Sequence, residues 1–325
     1  VFTLDSSINN VNQNVDSNGI SADAISGLFI NGEKGSALKI FNTDNLYEEA
    51  SRTTLSDDTD PVGGITDVSS NNFHAFQNDA ASRPVRDGNR IIVDGQDDNM
   101  SIDFTGTGGF SATLLHGTTE GVVEAKVNVP DGVWDFYADP KMGISYNVTG
   151  LVLVEGSPDV AAAKAEIPGV GNKFAGVTSM AQWFKERSDI TELDVSDWDV
   201  SSVRTFRDTF WGVNISTIDI SNWDTSSVTT FRNAFPFTSN LTTVIVNGGT
   251  GNPFADSPCI NYSNTFLGSN LSQQSIDDIL MAIEAAGTSD GIFNQSGGSA
   301  PSATGEAAVT ALRGRGWTVT VTGGF

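Results

Sequence analysis

Two hydrophobic rhythms divide the chain. From Gly27 to about Pro168, apolar and polar residues alternate in short runs broken by Gly, Asp and Asn. Alternation sends successive side chains to opposite faces of a strand. It predicts strands at Arg90–Val93 (closed by an Asp94-Gly95 turn), Met100–Phe104, Ser111–Leu115, Val122–Val129, Gly132–Tyr137 and Ile144–Val148. Thr149–Glu155, TGLVLVE, has the continuous apolar run of a central strand buried on both faces. Many short strands between turn residues predict a β-sandwich. Asp159–Glu166 reads as a short helix with Pro168 as its stop.

Further along, the pattern repeats. Leu193 and Ile218, Trp198 and Trp223, and Phe206 and Phe231 are each 25 residues apart. A half-unit precedes them at Val177, Met180 and Phe184. A later unit begins at Leu241, Val244 and Val246, is interrupted around 247–258, and resumes at Cys259, Tyr262 and Phe266. Leu193/Val195 and Ile218/Ile220 are spaced for one face of a short strand, with Asp194 and Asp219 on the other. Val203, Phe206 and Phe210, like Val228, Phe231 and Phe235, are spaced for one face of a helical turn. Each unit is expected to be a strand plus a short helix, burying its apolar face only by stacking on its neighbours. Ser272 is placed to cap a helix whose apolar positions are Ile276, Ile279, Leu280 and Ile283, with Gly287 as its stop. A strand near Ile292–Asn294, a helix near Ala307–Leu312 and a strand at Trp317–Val321 would complete a terminal cap.

The expected architecture is mainly β with some α. It comprises an N-terminal arm (1–26), a sandwich (27–168), a repeat solenoid (169–270) and an α/β cap (271–325). Composition then narrows the function. Forty acidic against 17 basic residues give a net charge of −23, which repels phosphate backbones and anionic membranes. No nucleic-acid partner or membrane insertion is expected. Cys259 is the only cysteine, so no intrachain disulfide can form. It occupies a repeat Val position and reads as a buried hydrophobe. Val1-Phe2-Thr3-Leu4-Asp5 has no signal-peptide pattern.

The units LDVSDWDVSSVRTFRDTF and IDISNWDTSSVTTFRNAF resemble the BspA-like leucine-rich repeat of bacterial surface proteins, over roughly 175–270. Phe206 and Phe231, followed by Arg207 and Arg232, stand where that repeat usually has Met. The pieces GLFINGEKG, DPVGGITDVSSNNFHAFQ, SRPVRDG and VDGQDDNMS resemble concanavalin A-like (LamG-type) domains of phage tail and virion proteins. LVLVEGSPDVAAAKAEI resembles the end of such domains. The segment from LSQQSIDDIL to GWTVTV resembles the closing segment of BspA-like repeats in phage structural proteins. The resemblance implies a tailed-phage virion protein: a tail fibre, head fibre or decoration subunit. Such a protein would attach to a host protein or glycan, dock to other virion proteins through its arm, and be a homo-oligomer. A bacterial adhesin with the same repeat is the alternative, and a polysaccharide-degrading enzyme a third.

Candidate chemistry is sparse. His74 and His116 sit in no metal or triad spacing, and no nucleophile elbow, Walker loop or dinucleotide fingerprint occurs. A glycosidase needs two carboxylates flanking a cleft, and no such pair stands out. Neither catalysis nor a cofactor is expected. Asp94, Asp97, Asp98 and Asn99 form an acidic turn that offers oxygen ligands to calcium; a solvated turn is the alternative. Trp198 and Trp223 are expected to stack on each other as a ladder. Trp134, Phe136 and Tyr137 are the better candidates for an exposed aromatic cluster, with core packing the default even there. Glu192, Asp194, Thr217 and Asp219 are expected on a polar strand face that meets a protein or a cation-bridged polysaccharide.

Overall fold

The computed structural model describes residues 24–324, apart from 30, 40–44, 49, 53, 58, 70, 89, 94–98 and 139–145. Nearly all of the expected N-terminal arm lies outside the described residues. Helix α1 (Ala24–Gly27) precedes eleven strands: β1 (Gly35–Leu38), β2 (Leu46–Tyr47), β3 (Gly64–Ile65), β4 (Ala75–Phe76), β5 (Val85–Asp87), β6 (Arg90–Val93), β7 (Asn99–Asp103), β8 (Phe110–Thr118), β9 (Val122–Val129), β10 (Val133–Ala138) and β11 (Tyr146–Glu155). Helix α2 (Ala161–Glu166) follows. Strand β12 (Ile190–Asp194) completes a sheet of order β12-β9-β8-β11-β6-β5, with β1 also on β11. A second sheet has the order β10-β7-β4-β3-β2. Every pairing in both is antiparallel.

Strand β11 is central, as its composition predicts. Leu151 and Leu153 join the core shared with Ile65, Met100 and Ile102 of the second sheet. Val152 and Val154 point the opposite way, to Ile25, Ala163 and Ile167 beneath α1 and α2. Burial on both faces is why the run shows no alternation.

The repeat units lie on one another in parallel register. Strand β13 (Thr217–Asp219) pairs with β14 (Thr243–Ile245). A second leg of each unit forms a longer ladder. The amides of Phe206, Asp208, Phe210 and Gly212 donate to the carbonyls of Thr230, Arg232, Ala234 and Pro236, at 2.8–3.3 Å. The same alternation joins 180–186 to 205–211 below and 231–237 to 261–267 above. It continues through β15 (Asn261–Leu267), β16 (Ile292–Ser296) and β17 (Thr318–Thr320), which pair in parallel. Helices α3 (Gln273–Ala285) and α4 (Ala303–Gly314) connect these last strands. Ser272 Oγ accepts from the Ser275 amide at 3.3 Å, and Ile276, Ile279, Leu280 and Ile283 are buried, as predicted.

The helical turn expected around Val203, Phe206 and Phe210, and around Val228, Phe231 and Phe235, is not formed. Instead the backbone of this leg enters the left-handed region every fourth residue: Gln182 and Glu186, Asp208 and Gly212, Asn233 and Phe237, Asn264 and Gly268. A helix would satisfy each amide within its own unit. Here alternate amides point to the next tier, and the left-handed residues permit that geometry. Asp and Asn tolerate this region better than other non-glycine residues.

The tiers enclose two columns of flat rings. Phe184, Phe210, Phe235 and Phe266 stack with centroids 4.8–5.6 Å apart and interplanar angles of 4–7°. Phe206, Phe231 and Tyr262 stack at 5.2 and 5.5 Å. Trp198 and Trp223 do not stack on each other, contrary to expectation. Trp223 stacks on Phe206 at 4.8 Å, and its indole N–H donates to the Val195 carbonyl of the preceding tier at 3.0 Å. Trp198 meets Phe174 and Phe184. Both indoles are buried, as are Leu193, Val195, Ile218 and Ile220.

The first tier is welded to the larger sheet. Strand β12, from the first full repeat unit, is an antiparallel edge partner of β9, with Ile190 opposite Val127 and Asp194 opposite Glu124. One buried core runs through both halves, across the boundary expected near residue 168. Gly169 lies at the crossing with φ +93°, where a Cβ would come within 2.0 Å of the Thr118 carbonyl. Removing a core ring costs about 3–5 kcal/mol. Phe210→Ala is therefore expected to lower unfolding stability by about that amount, and Phe210→Leu by less; urea denaturation measures both.

Candidate functional site

The four predicted strand-face residues come together. Glu124, Ala125 and Lys126 of β9, Thr191 to Asp194 of β12, and Ser216, Thr217 and Asp219 at β13 line a groove of about 420 Å³. It lies between β12, which pairs with β9, and β13, which pairs with β14; no ladder joins β12 to β13. Glu192, Asp194 and Thr217 are exposed and Asp219 is half-buried.

The groove is acidic. Glu124, Glu192, Asp194 and Asp219 face it, against Lys126. Lys164 pairs with Glu124 at 3.2 Å, and the Lys126 ammonium donates to Thr113 Oγ1 at 2.6 Å. Two of the carboxylates also shape the backbone. Asp194 Oδ1 accepts from the Ser196 amide and hydroxyl at 3.0 and 2.7 Å. Asp219 Oδ1 does the same with Ser221 at 2.9 and 2.7 Å. Asp199 with Ser201 and Asp224 with Ser226 form the same turn later in each unit. Hydrogen bonds from Ser226 hold Asp224 below the usual carboxylate range. The repeated Asp-x-Ser pairs are thus local turns that end each strand.

Trp134, a candidate exposed aromatic with core packing as the default, is 5% exposed and belongs to the core. Its indole N–H donates to Asp189 Oδ2 at 3.3 Å. Burial opposes ionisation of Asp189, but Arg187, at 2.8 Å, and this indole hold its carboxyl below the usual range. The pair ties the sheet to the first tier. The side chains of Tyr137 and Asn99 are outside the described residues, as are Asp94, Asp97 and Asp98. Among the described residues, no group of three or more His, Cys, Asp or Glu is placed to hold a metal.

An exposed aromatic pair lies elsewhere. Phe237 is 53% exposed and 5.3 Å from the half-buried Trp211 ring, which Lys185 Nζ approaches to 5.3 Å. Phe237 holds φ +57° in the column where the tiers on either side have Gly212 and Gly268. A bulky side chain there is strained. The signal was legible: aligning the units at a period of 25 sets Phe237 against Gly212.

The residues best suited to acid–base or nucleophilic work are committed to structure. His74 Nδ1 accepts from the Asp67 amide at 2.9 Å. Asp67 is a buried carboxylate that also accepts from the amides of Ala37, Ser69 and Phe73. Burial pushes the Cys259 thiol up to about 11, far from a reactive thiolate. His116 lies in β8 between Val123 and Leu151 on the flanking strands. Burial, with Arg187 nearby, pulls its pKa down to about 3.

Residues 172–278, about a third of the chain, match a family described as Mycoplasma protein of unknown function, DUF285. No curated protein and no solved structure matches. Among the described residues, no helix is long and apolar enough to cross a membrane.

The His116 shift has a defined sign. An imidazole held neutral in the fold and free to protonate when unfolded contributes fully above about pH 6.5. That contribution is lost as pH falls toward 3. Relative to His116→Leu, the wild type should lose up to about 3 kcal/mol between pH 7 and 4, read from urea titrations at both pH values. Phe237→Gly, which relieves the left-handed strain, is expected to leave stability unchanged or raise it by up to about 1 kcal/mol. A loss above that would show that packing on Trp211 outweighs the strain.

Proposed function

We propose that this chain is a non-enzymatic recognition subunit of a tailed-phage particle. In this reading, residues 27–168 are a concanavalin A-like β-sandwich, 169–270 a short BspA-like leucine-rich-repeat solenoid, and 271–325 its cap. The N-terminal arm docks to other virion proteins, copies assemble as a homo-oligomer, and the tiers face a host protein or glycan. The observation that carries the reading is the groove between β12 and β13. Its walls belong to two elements fused by one core, so it presents a preorganised polar surface with little ordering to undergo on binding. Its acidic lining suits a basic protein patch or a cation-bridged polysaccharide.

A second reading is a bacterial surface adhesin; the family match, described as a Mycoplasma protein of unknown function, bears only on its bacterial source. Mass spectrometry separates the two. The phage reading expects the chain in stoichiometric amount in purified particles. Recovery only from a bacterial envelope fraction would establish the adhesin instead. Ser216→Trp, at an exposed position lining the groove, is expected to reduce adsorption of the labelled chain to host cells at least tenfold without changing its melting temperature. Adsorption equal to wild type would remove the groove from the attachment surface.

A further inference from the structure

The outward face of the second leg carries charge opposite in sign to the molecule as a whole. Between Phe206 and Phe210, and between Phe231 and Phe235, the buried rings leave Arg207 and Arg232 exposed. The two share a register: the Asp208 amide donates to the Arg232 carbonyl at 3.3 Å, and Thr205 bridges to Thr230. Adjacent strands lie about 4.8 Å apart, so the two arginines stand in one column on consecutive tiers. Arg204, also exposed, stands at the entry to this leg.

Like charges on adjacent tiers repel, and of these arginines only Arg207 has a carboxylate partner among the described residues. The Arg207 Nε donates to Asp208 at 3.1 Å. Asp208 also accepts from Asn233 Nδ2 at 2.9 Å. The Arg207–Asp208 bond orients the guanidinium through Nε and leaves its outer nitrogens available. Among the described residues, Arg204 and Arg232 have no side-chain hydrogen bond or ion pair. The Thr205 and Thr230 hydroxyls accept from the amides of Arg207 and Arg232, which leaves each hydroxyl proton free to donate outward. Guanidinium forks and hydroxyl donors on a flat, regularly spaced face form an acceptor-reading surface.

We propose that this face binds an acidic polysaccharide, with Arg207 and Arg232 on successive carboxylate, sulfate or phosphate groups and Thr205 and Thr230 on neighbouring oxygens. The inference rests on the recognition reading above and names one ligand class for it. The column from Ser179 through Thr205 and Thr230 to Asn261 itself holds no aromatic or large aliphatic anchor of the kind that dominates protein interfaces; the exposed Ile260 and Phe237 lie outside it, and self-association is an outcome of the test below. Nucleic acid is disfavoured because its dense charge meets a chain of net charge −23. A polymer with one charge per sugar unit or fewer meets that repulsion more weakly than duplex DNA does.

The test uses the full chain and immobilised polygalacturonate, hyaluronate and dextran sulfate, with neutral dextran and duplex DNA as comparators, at low and high salt. At least one acidic polysaccharide should bind and weaken as salt rises, with neutral dextran inert. R207Q/R232Q should weaken that binding at least tenfold at unchanged melting temperature. R207K/R232K should retain part of it, and Ser216→Trp all of it. Binding to none of the acidic polymers, equal binding to neutral dextran, stronger binding to DNA, or an unaffected R207Q/R232Q variant would each overturn the proposal. Self-association abolished by R207Q/R232Q, without polysaccharide binding, would assign the face to a second copy and overturn it too. None of these results alters whether the chain is found in particles, so the two readings fail separately.

Discussion

The structure depends on the backbone ladder between tiers. Alternate amides of the second leg donate to the next tier, which sets the spacing of the units near that of adjacent strands. At that spacing, interior side chains of equivalent positions must lie one above another. Flat rings in a common orientation satisfy this constraint, and the Phe184–Phe210–Phe235–Phe266 column does so with nearly parallel planes. The ladder also requires the left-handed residues at 182, 208, 233 and 264. Hydrogen bonding, backbone conformation and ring stacking are therefore a single arrangement, and none would persist without the other two.

The weld to the antiparallel sheet follows from the same constraint. A stack needs a first tier whose exposed edge is covered. Here β12 is covered by β9, while Phe174, Trp183 and Trp198 close the core above it. In the first leg no ladder joins β12 to β13, and the acidic groove lies between them. Groove and arginine column thus occupy different legs of the same stack, with opposite charge.

What was legible in the sequence was local. The continuous apolar run of β11, the Ser272 cap with the spacing of Ile276 to Ile283, and the 25-residue period all report short-range geometry, and the structure contains them. The second leg was misread as helical because Val203, Phe206 and Phe210 fit a helical face as well as an extended leg with left-handed steps. Asp208, Gly212, Asn233, Asn264 and Gly268 carried the distinguishing signal. The tryptophan ladder failed because equal sequence offset does not imply contact. Trp223 reaches back to the Val195 carbonyl and so lies over Phe206. Trp134 takes the core-packing default, and its polar neighbours in sequence give no sign of its bond to the distant Asp189. The shared strand face of Glu192, Asp194, Thr217 and Asp219 was legible, but its neighbours on β9 were not, since a pairing between Glu124 and Asp194 has no local trace.

Amide hydrogen exchange across the ladder tests the account most directly. If tiers and sheet form one cooperative body, the amides of Phe206, Phe210, Phe231 and Phe235 will exchange only through global unfolding. They will then show the same opening free energy as central amides of β8 and β11. Exchange of those four amides through a lower-energy opening, with β8 and β11 still protected, would contradict it.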